Sequence, residues 1–207
     1  MIENDESEFS RRKMPKQERA LATAEAITQA TQQLIIKEGY ENATTNRIAK
    51  AAGVSVGSLY QYFPNKQAII KTLIQETVND AAAQIRNQLR DLMEVPLESA
   101  LHQIIALLFQ IYKENAFILI QIIEYVPEMK DFTKNIKLDI YTYSTNLAFL
   151  EQHQDEITVT DYPTALLLIV RSTVHNIECF LTESTTDMTE EQLVNELTRM
   201  AVNYLTK

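Results

Sequence analysis

The chain has 207 residues, 45% of them hydrophobic, and a formal net charge of -9, which is enough apolar material for one small and one medium packed domain. Its single cysteine excludes an internal disulfide and suits a reducing cytoplasm. An acidic first ten residues and apolar stretches no longer than 165–170 and 116–123 lead to the expectation of neither an export signal nor a membrane span.

Only three glycines occur, Gly39, Gly53 and Gly57. So little backbone freedom predicts an all-α fold of about nine helices joined by short links. Residues 1–15 lack periodicity and read as a disordered tail. Its end, with Arg11, Arg12 and Lys13 followed by Lys16 and Arg19, forms a basic cluster that could act as an arm on DNA phosphates or a minor groove. The first helix is predicted over 16–38, with Leu21, Ala24, Ile27, Ala30 and Leu34 facing inward. Gly39 ends it.

A helix-turn-helix follows. Thr44 caps a short helix to Ala52, Gly53 supplies the left-handed turn residue, and Ser55 caps a second helix to Phe63. Ile48, Val54, Leu59 and Phe63 point inward, leaving Val56, Gly57, Ser58, Gln61 and Tyr62 outside. A glycine on that outer face lets the backbone approach a partner closely, as a helix entering a major groove requires. Charge agrees with this placement. Residues 11–72 carry ten basic against four acidic side chains, whereas 73–207 carry nine against twenty. A basic head on an acidic body directs phosphate to the motif.

The run Gly39-Tyr40, Ala43-Thr44-Thr45-Asn46-Arg47-Ile48-Ala49 and Ala52-Gly53-Val54-Ser55-Val56-Gly57-Ser58-Leu59-Tyr60-Gln61-Tyr62-Phe63-Pro64-Asn65-Lys66 resembles the DNA-binding domain of tetracycline-repressor (TetR) family regulators. The resemblance covers about residues 18–78. It implies a DNA-binding domain at 16–78, a helical effector-binding and dimerisation domain at 79–207, and a cytoplasmic homodimeric transcriptional regulator. Such a regulator is expected to act as a repressor on a palindromic double-stranded operator and to be released by a small-molecule effector. Arg47 departs from the pattern, standing where the family often has an acidic residue. Val56, Gly57, Ser58 and Gln61 are expected to face base edges, Gln61 pairing with adenine and Val56 meeting a thymine methyl. Thr44, Asn46, Arg47, Ser55, Tyr60, Tyr62 and Lys66 are expected to hold phosphates.

Pro64 and Asn65 introduce a helix over 66–90, on the order of 38 Å long, that would link the two domains. Proline punctuation and a break near 152–161 place further helices at 97–113, 115–125, 127–150 and 162–182. Thr189 to Gln192 forms a capping box opening a last helix to about Leu205. The final two helices carry an apolar stripe of Leu166, Val170, Val174, Ile177 and Leu181 with Leu193, Leu197, Met200 and Tyr204. It fits ordinary core or a dimer interface, and the half-site logic of a single helix-turn-helix favours the dimer.

The middle helices hold Phe109, Tyr112, Phe117, Tyr125, Met129, Phe132, Tyr141, Tyr143 and Phe149, which fit core packing or an effector cavity. His102, Glu124, Arg171, His175 and Glu178 are the polar residues amid this apolar sequence, the last three on one helical face. They suit either a ligand or an interfacial ion-pair network. A cavity lined in this way favours a hydrophobic, amphipathic or aromatic effector. The three histidines lie on separate segments without metal-ligand spacing, and no phosphate-binding glycine loop occurs, so no cofactor, metal or catalysis is expected. A protein-only helical adaptor would leave the basic, glycine-bearing motif unexplained.

Overall fold

The computed structural model describes residues 14–126, 129–130, 138–183 and 187–207, with side chains at 19–122, 125–126, 129–130, 142–183 and 187–207. Residues 1–13 of the predicted tail, with Arg11, Arg12 and Lys13, and the residue Phe132 lie outside the described set, as do the side chains of Lys16, Glu124 and Tyr141, while Met14 and Pro15, expected in the tail, already belong to the first helix. Among the described residues there are nine helices and no strand. They are α1 (Met14–Glu38), α2 (Thr45–Ala51), α3 (Val56–Tyr62), α4 (Lys66–Asp91), α5 (Leu97–Glu114), α6 (a π-helical turn Phe117–Gln121 continued by Ile122–Tyr125), α7 (Leu138–Gln152), α8 (Tyr162–Thr182) and α9 (Glu190–Thr206). The chain divides into two compact units, Met1–Ile74 and Gln75–Lys207, and the division falls inside α4.

In the first unit α1 packs on α2, and α2 on α3. Their shared core is Ile27, Ile48, Ala49, Leu59, Phe63 and Ile69, with Ala24, Leu34 and Val54 against it. The inward stripe of α1 is shifted from the expected one. Leu21 is 64% exposed and Ile35 is fully buried. The reason is the rise of the helix: Leu21 lies about 9 Å before Ile27, the first residue of the core. The buried threonines Thr28 and Thr31 on the same face bond back to the Glu25 and Ile27 carbonyls, so their hydroxyls cost little.

In the second unit α5 packs most extensively on α9 and also on α8, which in turn contacts α7 and α9. Links between helices fasten their ends. Glu156, after α7, accepts the Leu97 N–H at 3.2 Å on each carboxylate oxygen, capping α5 from a distance, while Pro96 stands just outside that helix. The buried His153 ring sits between the Phe149 carbonyl at 2.8 Å and the Val95 carbonyl at 2.9 Å. Thr158 donates its N–H to the Leu205 carbonyl at 2.8 Å. The capping box at Thr189 forms reciprocally with Gln192.

Asp161 caps α8 through the Thr164 hydroxyl and backbone N–H, which hold its carboxyl below the ordinary carboxylate range, the hydroxyl contributing more. A carboxylate lowered in the folded state stabilises above its unfolded pKa and loses that stabilisation as pH falls through the folded one. Acid titration of Asp161→Asn should therefore show a melting-temperature deficit near neutrality that closes in acid. A deficit independent of pH would remove the carboxylate from this account.

Candidate nucleic-acid interface

The motif is positioned by its two caps and one turn. Thr44, extended at φ -76°, ψ 154°, accepts the Arg47 N–H, and Ser55, at φ -73°, ψ 152°, accepts the Ser58 N–H at 2.9 Å. Between them Gly53 takes φ +69°, a left-handed conformation that a side chain would strain. The N–H of Val54 then reaches back to the Ala49 carbonyl at 2.9 Å, closing the turn. Leu59 and Phe63 anchor α3 in the core with 0% and 6% exposure.

What remains outside is one face of α3. Val56, Gly57, Tyr60 and Gln61 are exposed, at offsets of one and four that place them together. Gly57 has an ordinary helical φ, and a Cβ built there would meet only Ser55 Oγ at 3.8 Å. Nothing inside the protein requires glycine at this position. Ser58 is half-buried, with its hydroxyl 2.8 Å from that of Ser55, so it faces the cap more than the open side expected for it.

The residues expected to hold phosphates divide into two sets. Thr44, Asn46, Ser55 and Tyr62 are exposed around α3. Tyr60, also exposed, has its hydroxyl 3.1 Å from Thr45 Oγ1, bracing α3 against α2. Arg47 and Lys66 are engaged internally. The Arg47 guanidinium pairs with Glu38 and donates to the Asn42 carbonyl at 3.2 Å, tying α2 to the end of α1. Lys66 donates to the Tyr40 carbonyl at 2.7 Å and lies 3.6 Å from the centroid of the Tyr40 ring. Both cations fix the loop between α1 and α2. Sequence reasoning missed these contacts because Tyr40 and Lys66 are twenty-six residues apart and no periodicity relates them.

The predicted effector residues scatter. Phe109, Tyr112 and Met129 are core, the first edge-on to Phe180 with ring centroids 5.6 Å apart. Phe117 is half-buried and packs on the exposed Tyr125. His102, Arg171 and His175 are exposed. His102 Nε2 lies 3.2 Å from Asn195 Oδ1, and His175 Nε2 lies 3.7 Å from Cys179 Sγ. Of the aromatic residues read as core or cavity, Phe149 lines the apolar cavity of about 60 Å³ that the second unit contains, together with Leu101, Leu108 and Thr173, whereas Phe109, Tyr112, Phe117, Tyr125, Met129, His102, Arg171 and His175 do not. The Cys179 thiol is pushed up by desolvation and by the neighbouring Glu183 and Glu178 carboxylates, the opposite of an activated nucleophile.

The stripe expected to form an interface is likewise divided. Leu166, Ile177, Leu193 and Leu197 are buried in the core of the unit itself, Val170, Val174 and Leu181 are half-buried, and Met200 and Tyr204 are exposed. The apolar side chains left outside on α8 are instead Leu167 and Leu168. As a whole α8 is long and apolar enough to cross a membrane by length and composition, which the reading by uninterrupted stretches did not bring out.

Residues 27–73 match the sequence profile of the bacterial regulatory proteins of the tetR family. That stretch is a DNA-binding domain of the tetR type. The match coincides with the caps, turn and exposed helix just described. An uncharacterized HTH-type transcriptional regulator of Haemophilus influenzae is 27% identical over 152 residues, covering 70% of this chain and 80% of that one. The nucleoid occlusion factor SlmA of Mannheimia succiniciproducens is 31% identical over 91 residues, a match that spans 44% of this chain and only 41% of the factor. In fold, the chain is similar to the transcriptional regulator FadR from Bacillus subtilis, solved in complex with stearoyl-CoA. The TM-score is 0.67 at 18% identity, over 87% of this chain and 98% of that one.

Proposed function

We propose that this TetR-family regulator is a cytoplasmic repressor that binds a palindromic operator as a homodimer and is released by a small apolar or amphipathic effector held in the second unit. The observation that carries the DNA reading is the exposed face of α3, where a side chain at Gly57 would meet only Ser55 Oγ at 3.8 Å. A helix that leaves its backbone bare toward solvent is fitted to close approach by a groove. Dimerisation draws support from α8, only 22% buried over its most apolar window, and from the exposed Leu168, Met200 and Tyr204. Two reading heads related by a two-fold axis and spaced about 34–36 Å would meet successive major grooves. The effector reading is supported by the apolar cavity and by the stearoyl-CoA held by the FadR relative.

Selection of bound fragments from random DNA, with and without cell extract, tests the proposal. A two-fold symmetric consensus is expected, with extract weakening its capture. An asymmetric or absent consensus would overturn the palindromic mode. On the selected site Gln61→Ala should lose roughly 1–3 kcal/mol at one base pair and relax preference there. Lys66→Ala should weaken specific and unrelated DNA alike, because its cation holds the Tyr40 loop and adds charge without reading bases. Equal losses for both variants on every sequence would deny Gln61 a base contact.

A further inference from the structure

Among the described residues five threonines are buried: Thr28, Thr31, Thr142, Thr173 and Thr198. Four have partners. Thr28, Thr31 and Thr198 bond back to carbonyls of their own helices, and Thr142 accepts from the Asn146 amide at 3.0 Å. Thr173, on α8, is 2% exposed, and its Oγ1 has no hydrogen-bond partner. The usual solution, a bond to the carbonyl four residues earlier at Ile169, is not taken. This hydroxyl belongs to a residue lining the cavity between α4, α5, α7 and α8, whose walls include Leu89, Leu101, Ile105, Leu108, Phe149 and Leu166. Asn146 is the other polar residue there, and one N–H of its amide is donated to Thr142.

No charged side chain lines the cavity among the described residues. A carboxylate or phosphate placed there would be desolvated without a counter-charge, which disfavours anions strongly. A purely apolar guest would leave the Thr173 hydroxyl unpaired. At about 60 Å³, and with one water-sized sphere taking about 10–15 Å³, the space admits about four to six non-hydrogen atoms. We propose that this cavity binds a small neutral molecule, or the neutral end of a larger one, whose single hydroxyl or carbonyl group pairs with Thr173 while its hydrocarbon fills the leucine and isoleucine walls. The proposal rests on the reading that the second unit receives an effector, and it names the chemistry of that effector: uncharged, with one hydrogen-bonding group.

The test uses the full chain with 1-butanol, butyrate and pentane as probes, followed through the methyl resonances of Ile105 and Leu108. Saturable shifts with 1-butanol are expected at concentrations at least tenfold below those needed for pentane, with none from butyrate. Thr173→Ser should keep that preference. Thr173→Val, nearly the same shape, should still bind pentane and lose the tenfold advantage of the alcohol. An unchanged preference in Thr173→Val, binding of butyrate as tight as that of 1-butanol, or no saturable shift with any probe would each overturn the assignment. Operator affinity separates this from the regulatory reading. Saturation by 1-butanol with DNA binding unaltered would uphold the cavity and defeat its role in release.

Discussion

Replacing Gly57 by alanine raises the melting temperature of the free protein and lowers its affinity for operator DNA. The two effects have separate origins. Gly57 is helical with an ordinary φ, and the new methyl would meet only Ser55 Oγ at 3.8 Å, an ordinary contact. Alanine therefore removes the entropic penalty of a helical glycine, about 0.5–1 kcal/mol, without adding strain. For a chain of this size that corresponds to roughly 1–4 °C in melting temperature. On DNA the same methyl stands on the exposed face shared with Val56, Tyr60 and Gln61 and holds the backbone away from the groove. A loss of at least tenfold in affinity, about 1.4 kcal/mol, is expected at fixed salt. Calorimetry and fluorescence anisotropy on the same preparations check both halves. Tighter folding with unaltered DNA affinity would place the closest approach elsewhere on α3.

Gly53→Ala is the contrasting case. At φ +69° the left-handed conformation costs an alanine about 1–2 kcal/mol, so this variant should lose stability first and DNA binding only as a consequence. The two glycines four residues apart thus separate a folding requirement from a binding one.

The first unit was largely legible in its sequence, for a local reason. Caps, turn glycines and core positions of a short helix-turn-helix are set by neighbours within a few residues. Thr44, Gly53 and Ser55 act where their side-chain chemistry and conformational freedom say they should. Legibility fails where tertiary packing chooses among equivalent faces. The run Ala165, Leu166, Leu167, Leu168, Ile169 and Val170 is apolar on every side of its helix, so periodicity alone assigns it no phase. Contacts with α5, α7 and α9 decide that Leu166, Thr173 and Ile177 turn inward and Leu168, Arg171 and His175 outward. The residues named for an effector cavity divide in the same way, Phe149 lining the cavity and the others lying elsewhere. Aromatic rings such as Phe109 and Tyr112 drew attention by size and proved to be filling, whereas the cavity is marked by an unpartnered hydroxyl that a sequence does not reveal.

The outward face of α8 and α9 yields the largest expected effect. Leu168 is 49% exposed and Tyr204 is 41% exposed, so glutamate at either position leaves the protomer core untouched and should change its stability by no more than about 0.5 kcal/mol. In a two-fold dimer the same positions would face apolar neighbours. The double variant Leu168→Glu/Tyr204→Glu would bury carboxylates there without partners, at a cost of several kcal/mol. The parent protein should sediment as a dimer at micromolar concentration and the double variant as a monomer. Affinity for a full palindrome should fall by about 10²–10⁴, because the second reading head no longer benefits from the effective concentration that linkage supplies. Affinity for an isolated half-site should stay the same, since α3 and its caps belong to the other unit. A variant that remains dimeric moves the interface to another face. One that becomes monomeric yet binds the palindrome as tightly as before would show that each head reads its site alone, and the symmetric operator would lose its physical basis.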